Sequence, residues 1–359
     1  MLTHPDTFVV SFLSPRMARR LVRRFLFLPL IGLPLCCLLL HATPAQTQTH
    51  AAQPSAPIAP RALASSPTLV WIDTDIGDDI DDAFAVALLL RSPQVRVVGI
   101  STTFGDTDLR ARLLDHFLAA AHVIDIPVYT GLPTSTTNLF TQRAYAEHFP
   151  PRSHPDAVTA LLAAVHQYGN RLTLLAIGPL FNVAAAIDRD PATMRQLGRI
   201  VLMGGSIRQG YLTADARITP PTAEWNILQD PPGAKVVFAS GIPIRLFPLD
   251  STQISLHRAD RQQLFTAHAP FSAPLQSLYS EWRPHAWNHS SSPVLFDAVA
   301  ASSILEPQLC PTRPMRLDIT AEGLTKIVPG PPNARVCLRS QPSAFLTLLM
   351  NRLTGHLTP

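Results

Sequence analysis

Leu69-Val-Trp-Ile-Asp-Thr-Asp-Ile-Gly-Asp-Asp-Ile-Asp-Asp-Ala83 sets the architecture of this chain. The apolar run Leu69 to Ile72 suits a buried strand, and Ala83 to Leu90 is an apolar stretch of good helix formers. Between them, six carboxylates fall within ten residues: Asp73, Asp75, Asp78, Asp79, Asp81 and Asp82. Residues two apart on a strand share a face, so Asp73 and Asp75 are expected to emerge together at its carboxyl end. The later aspartates are expected at a helix N-terminus, where the macrodipole favours each negative charge by roughly 0.3–1 kcal/mol. That is too little for six. Two like charges about 4 Å apart repel by roughly 4 kcal/mol at an effective dielectric of 20. The turn therefore needs a bound cation, raised pKa values or wide exposure to water. Hard oxygen ligands at a strand end suit calcium or magnesium.

Other readings of the turn fit less well. A solvated helix cap uses one or two aspartates. An EF-hand loop wants Gly at its sixth position, which counted from Asp73 is Asp78. Asp78-Asp79-Ile-Asp81-Asp82 matches the DDxxD pattern of prenyl-diphosphate synthases, but those are all-helical and a strand precedes the motif here. A haloacid-dehalogenase-type phosphatase also begins with a strand-end DxD, yet Ile76-Gly77 stands where a hydroxyl residue is usual.

Downstream, apolar runs alternate with helical segments. Val95 to Thr103, Val128-Tyr129, Leu172 to Ile177, Ile200 to Met203 and Ile244 to Leu249 read as strands. Leu109 to Ala121 (an outer helix carrying Asp115), Asp156 to Tyr168 and a segment from Val183 read as helices. The repeats predict an α/β fold, a mainly parallel open sheet of Rossmann-like type with helices on both faces. Such sheets bind ligands beyond the carboxyl ends of their strands, which gathers Asp75, Asp106, Ile177, Met203 and Asp250 at one rim. Leu256 to Asn288 is less regular, carries Tyr279, Trp282, His285 and Trp287, and reads as a small helical insertion.

The 359 residues have room for one large or two ordinary domains, and the front of the chain does not read as part of that body. Arg16, Arg19, Arg20, Arg23 and Arg24 precede the apolar run Phe25 to Leu40 and then Ala42-Thr-Pro-Ala45. This is the pattern of a secretory signal over residues 1–45, with Met17 as an alternative start. The apolar run, broken by Pro29 and Pro34, is short for a membrane span, so no stable membrane anchor is expected. Leu35 before Cys36 argues against lipidation. Residues 46–67 are rich in Gln, Ala, Pro and Ser and read as a linker, leaving 68–359 as the folded domain. The expectation is an exported protein, periplasmic or extracellular. Residues 1–45 hold five of the 29 Lys and Arg and one of the 25 Asp and Glu, leaving 24 of each in the remainder. That balance provides no global field for nucleic acid or an anionic membrane. Cys310 and Cys337 would remain after cleavage and could pair in an oxidising compartment. No Cys/His spacing suits zinc.

From about residue 68 to 353 the chain resembles the inosine-uridine-preferring nucleoside hydrolases. Asp73-Thr-Asp75-Ile-Gly77 with Asp81-Asp82-Ala83 is similar to the family's DxDxGxDDA signature, with two extra residues before the final pair. Gly99-Ile-Ser-Thr-Thr-Phe-Gly-Asp106 resembles its second strand and loop, and Ala176-Ile-Gly-Pro-Leu-Phe-Asn182 its GPLTN turn. Met203-Gly-Gly205, Ala223-Glu-Trp-Asn-Ile227 with Asp230-Pro231, Phe247-Pro-Leu-Asp250 and Leu295-Phe-Asp297-Ala298 follow in the family's order.

The resemblance implies calcium-dependent hydrolysis of the N-glycosidic bond of ribonucleosides or related N-ribosides, with a calcium ion holding the attacking water and the ribose diol. Such a reaction builds oxocarbenium character on the sugar, which carboxylates stabilise while one of them deprotonates the water. Carried over by position, Asp75, Asp82, the Ile177 carbonyl and Asp297 would hold the ion, and Asp81 would be the general base. Asp78 and Asp79, in the two-residue insertion, are rival candidates. Glu224 and Asn226 would bind ribose hydroxyls, or else cap the following segment; Met203 and Asp106 would lie beside the sugar. Asp106 stands where many relatives carry Asn and cannot donate when ionised. Asn182 reads as a helix cap before a ligand, and Asp250 as a structural aspartate. Phe296 departs from the pattern, because many relatives carry there a His that protonates the leaving base. His285 and His289 are candidate substitutes, and Trp282, Trp287 and Tyr279 could stack on a base or simply be core. A secreted riboside-binding protein without turnover is the competing reading. Base specificity and assembly as a homo-oligomer stay open.

Overall fold

The computed structural model describes residues 66–355, apart from residues 137 and 214. The expected signal, and all of the expected linker but its last two residues, lie outside the described residues. Ten strands follow in chain order: β1 Thr68–Thr74, β2 Val95–Thr102, β3 Val128–Tyr129, β4 Leu172–Ile177, β5 Arg199–Met203, β6 Ile244–Phe247, β7 Thr312–Met315, β8 Leu317–Ile319, β9 Thr325–Ile327 and β10 Ala334–Cys337. Eight of them form one sheet in the order β3-β2-β1-β4-β5-β6-β10-β7, and β8 pairs with β9 apart from it. All neighbours in the large sheet are parallel except the edge strand β7, which runs antiparallel to β10.

The alternation inside β1 shows why the sheet is covered on both sides. Val70 and Ile72 belong to one buried core, Leu69 and Trp71 to another. Asp81–Leu90, Thr107–Ala120, Phe296–Leu305 and Pro342–Leu353 contribute helices to the first core. Ala157–Tyr168, Phe181–Arg189 and Pro231–Ala239 contribute to the second. This is the mainly parallel α/β architecture expected from the sequence. Helix starts follow their chemistry: Asp106, Asp156 and Asp230 each accept a backbone N–H three residues on, from Leu109, Thr159 and Gly233. On helix Thr107–Ala120, Asp115 is buried against Arg152 and His154.

Strand order decides where a ligand can sit. The chain runs outward from β1 to β2 and β3, then returns to place β4 on the other side of β1. That reversal opens a crevice beyond the carboxyl ends of β1 and β4. Asp75 follows β1 there, and Ile177 ends β4. The irregular stretch after Leu256 holds helices Arg258–Thr266 and Ser272–Trp282 and a short turn Arg283–His285. Its two ends are stitched together, Leu256 N–H to Pro293 O at 2.9 Å and Leu295 N–H to Ile254 O at 2.8 Å. Cys310 and Cys337 form a disulfide with a Cα separation of 5.7 Å.

Asp73 does not emerge at the rim with Asp75. It stays within β1, fully buried, and accepts the Ser101 hydroxyl (2.5 Å) and the Asn182 amide (2.8 Å). Asn182 is therefore not a helix cap. Its amide also donates to the Thr102 carbonyl at 2.9 Å, and its oxygen accepts Leu132 N–H at 2.8 Å. Replacing Asn182 by Ala would leave buried donors and acceptors unmatched, at about 1–3 kcal/mol each. Denaturant unfolding of Asn182→Ala should show a loss of about 2–4 kcal/mol with an unchanged m-value; a loss below about 0.5 kcal/mol would show that the tether carries little.

Candidate active site and metal centre

The acidic turn is shaped by one glycine and one arginine. Gly77 has φ +125°, and a side chain there would run into the Phe140 ring. Arg110, buried beneath the turn, donates to the backbone carbonyls of Asp75, Ile76 (2.9 Å) and Phe104 (2.7 Å) and to the Asp78 carboxylate (2.9 Å). From the other side, Thr141 Oγ1 and Gln142 Nε2 donate to the carbonyls of Asp78 and Asp79, each at 2.7 Å.

The six carboxylates divide into two groups. Asp73 is absorbed by Ser101 and Asn182, and Asp78 by Arg110 and the Asn138 amide at 2.8 Å. Asp79 accepts Ile80 N–H at 2.8 Å and the Trp287 indole N–H at 3.1 Å. Asp75, Asp81 and Asp82, the last accepting the Thr74 hydroxyl, make up the second group, and Asp297 joins them. Asp81 and Asp82 lie in the first turn of Asp81–Leu90, and Asp297 lies in the first turn of Phe296–Leu305. The two helices pack side by side, and Asp81 Oδ2 accepts the Asp297 backbone N–H at 3.1 Å. Asp81, Asp82 and Asp297 each offer an oxygen within 4.8 Å of the others. Asp75 borders the same cavity but lies outside that trio.

Wide exposure to water, one of the three ways to tolerate the cluster, is ruled out for these four, all at most 6 % exposed. Burial pushes the Asp75 carboxyl up to about 7 even with the Arg110 charge opposing it. Burial and mutual repulsion hold Asp81, Asp82 and Asp297 well above the usual carboxylate range. The remaining choice is protons or a cation. The donor set is all hard oxygen, fits calcium or magnesium, and has the Ile177 carbonyl at the adjoining strand end. Gly178 keeps that strand end close: a Cβ there would sit 2.8 Å from Asp75 N and 2.9 Å from its Oδ1.

The cavity measures about 430 Å³. Met203, Glu224 and Asn226 line it as expected. Glu224 acts as a cap, the second reading of the pair, accepting N–H from Asn226 (3.0 Å) and Ile227 (3.3 Å), and it also accepts Gly205 N–H (2.7 Å). Burial pushes its carboxyl up to about 7. The Asn226 amide donates to the Met203 carbonyl at 3.2 Å. Asp106 is different: it is exposed, caps Thr107–Ala120, and is not among the lining residues. His285 borders the cavity and His289 does not. Trp282 and Trp287 line it, whereas Tyr279 instead donates to the Ser291 carbonyl. Asp250 braces the neighbouring loop by accepting N–H from Ile207 and Arg208, each at 2.9 Å. Tyr211 lines the cavity without having been anticipated; its hydroxyl accepts Trp225 N–H at 3.0 Å. Its only sequence signal is a lone aromatic after Gly210 in a polar loop.

Residues 70–347 match the model of the inosine-uridine preferring nucleoside hydrolase family. A pyrimidine-specific ribonucleoside hydrolase, RihA, of Salmonella typhimurium is 28 % identical over 314 residues, covering 79 % of this chain and 97 % of its own. The solved structure of a plant nucleoside hydrolase, PpNRh1, superposes with a TM-score of 0.71 at 26 % identity, over 80 % of this chain and 99 % of that one. A purine-preferring ribonucleoside hydrolase from Gardnerella vaginalis shares the fold, with a TM-score of 0.70 at 24 % identity over 80 % and 98 % of the two chains.

The raised carboxyls fix the sign of a pH test. A carboxyl whose folded pKa exceeds its unfolded value near 4 contributes stability below that value and loses it as pH rises through about 7. Chelator-treated protein should therefore lose thermal stability between about pH 5 and about pH 8, and calcium should restore most at the higher pH. A melting temperature indifferent to divalent ions across that window would count against a metal centre.

Proposed function

The chain belongs to the inosine-uridine preferring nucleoside hydrolase family, and from that premise we propose that it is an exported, calcium-dependent enzyme that hydrolyses ribonucleosides or related N-ribosides to base and ribose. The observation that carries this reading is the meeting of Asp81, Asp82 and Asp297 at two adjoining helix N-termini, inside a cavity also lined by Glu224 and Asn226. Asp75, Asp82, Asp297 and the Ile177 carbonyl would hold the calcium ion. When bound, the ion supplies the positive charge that lets an acidic cavity take up water and sugar hydroxyls.

Asp81 is the base. Its Oδ2 is oriented by the Asp297 N–H, and Oδ1 is the atom that takes the proton from the attacking water. Water oxygen bonds to the anomeric carbon as the N-glycosidic bond breaks, and its electron pair leaves with the base. Glu224 and Asn226 hold the sugar, and the other buried carboxylates stabilise the positive charge that develops on it. Phe296 presents no proton at the position directly before Asp297, so a leaving group that needs one must take it from elsewhere, and His285, which borders the cavity, is the candidate donor. The three relatives described above are each named as hydrolases, which supports turnover over mere binding of ribosides. Export rests on the N-terminal sequence pattern and is consistent with the disulfide between Cys310 and Cys337.

Asp81→Asn should lower kcat by about 10²–10⁴-fold, the usual contribution of a general base, with a much smaller change in KM. Single-turnover ribose release by wild type, Asp81→Asn and Asp79→Asn separates the assignments. A dead Asp79→Asn beside an active Asp81→Asn would reverse the roles of the two aspartates. For export, N-terminal sequencing of the protein recovered outside the cytoplasm should give a start near Gln46; retention of residues 19–40 in a membrane fraction would mean an anchor.

A further inference from the structure

Asp79 stands apart from the other aspartates of the turn. Its Oδ1 is occupied by Ile80 N–H, and its Oδ2 by the indole N–H of Trp287, 208 residues away in sequence. With both oxygens engaged by N–H donors it is a poor ligand and a poor base. What it does instead is fix a ring. Trp287 lines the cavity yet is 47 % exposed, and it lies on a stretch held largely by its own turns, His289 N–H to Ala286 O at 2.9 Å and Ser290 N–H to Asn288 Oδ1 at 2.9 Å. The ring meets Tyr211 edge-on, with centroids 5.5 Å apart, and Tyr211 meets Phe296 edge-on at 6.1 Å. Trp287, Tyr211 and Phe296 thus form one aromatic wall on a cavity also lined by the aspartates of the acidic turn, Glu224 and Asp297. A planar heteroaromatic ring is the part of an N-riboside that suits such a wall.

We propose that Asp79 is a positioning residue: by accepting the Trp287 indole N–H, it holds that ring across the cavity as a stacking panel for the leaving base. This rests on the N-riboside reading of the cavity. The base half of the substrate is then read through Asp79, and the sugar half through the carboxylates around Asp82. The two extra residues of the acidic turn, relative to the family signature, are what put a carboxylate within reach of Trp287.

A double-mutant cycle of Asp79→Ala and Trp287→Phe on the full mature chain tests this, since Phe keeps a ring but removes the N–H. Each single change should raise the nucleoside KM about tenfold, the scale of one charge-assisted hydrogen bond, with kcat within about threefold of wild type. The double variant should be no worse than either single, because both break the same bond. Inhibition by free ribose should be unaffected in all three, and Asp79→Asn, which keeps one acceptor oxygen, should recover part of the loss. Weakened ribose inhibition would assign Asp79 to the sugar and metal centre instead. A collapse of kcat at constant KM would make it a proton-transfer residue, and multiplied effects in the double variant would dissolve the link. If the wild type releases no ribose, the same cycle is read as Kd from nucleoside quenching of tryptophan fluorescence, with Trp287→Phe identifying that ring's share of the signal. The latch and the hydrolase reading therefore fail separately.

Discussion

Beyond the ends of β1 and β4, four buried carboxylates share one cavity, and the nearest guanidinium is already committed to three carbonyls and Asp78. Each carboxylate alone would lose several kcal/mol on burial unless neutralised, and together they repel. Helix N-termini offset only a fraction of that cost. The arrangement is stable with protons at low pH or with a divalent cation at neutral pH, and the second state is the one that can hold sugar hydroxyls. Much of the surrounding structure keeps this charge cluster from dispersing. Arg110 ties down the backbone of the turn, and Phe140 packs over Gly77 where a side chain would otherwise go. Two parallel helices present their first turns to the same point.

The sheet supplies the location, and the first turns of two helices supply most of the carboxylates. Reversal of strand order between β1 and β4 opens the crevice, and the close approach of Gly178 to Asp75 keeps the two strand ends within reach of one ligand. Asp297 comes from more than 200 residues downstream, delivered by a helix that starts just after the insertion closes on itself. The same insertion brings Trp287 to the opposite flank of the acidic turn. One cavity is thus built from both ends of the chain, with an acidic part and an aromatic part.

The central strands were legible because they are largely apolar: β4 falls where its residues predict, β1, β2, β5 and β6 differ by a few residues at their ends, and the edge strand β3 also falls in place. The far edge was not. β7 contains Pro314 and is partly exposed along its length, and β8 and β9 have three residues each, too short for a period to register. In the site, the crowding of Asp75, Asp81 and Asp82 was legible because so many neighbouring carboxylates have little structural use, whereas Asp297, more than 200 residues on, was reached only through the family resemblance. Asp106 misled because an aspartate before a helix has a good one, as a cap. Asn182 was read as a local cap, while its partners Asp73, Thr102 and Leu132 are 50 to 109 residues away. The pairing of Asp78 with Arg110, and of Asp79 with Trp287, depends in the same way on long-range packing that no local pattern encodes.

The most direct measurement is free-ribose release from ribonucleosides by the purified mature protein, followed through chelation and calcium add-back. The calcium-loaded protein should release ribose, lose that activity on chelation, and regain it when calcium is restored. A protein that binds calcium and nucleoside, yet yields no ribose from any purine, pyrimidine or pyridine riboside, would contradict it and leave a binding protein built on the same cavity.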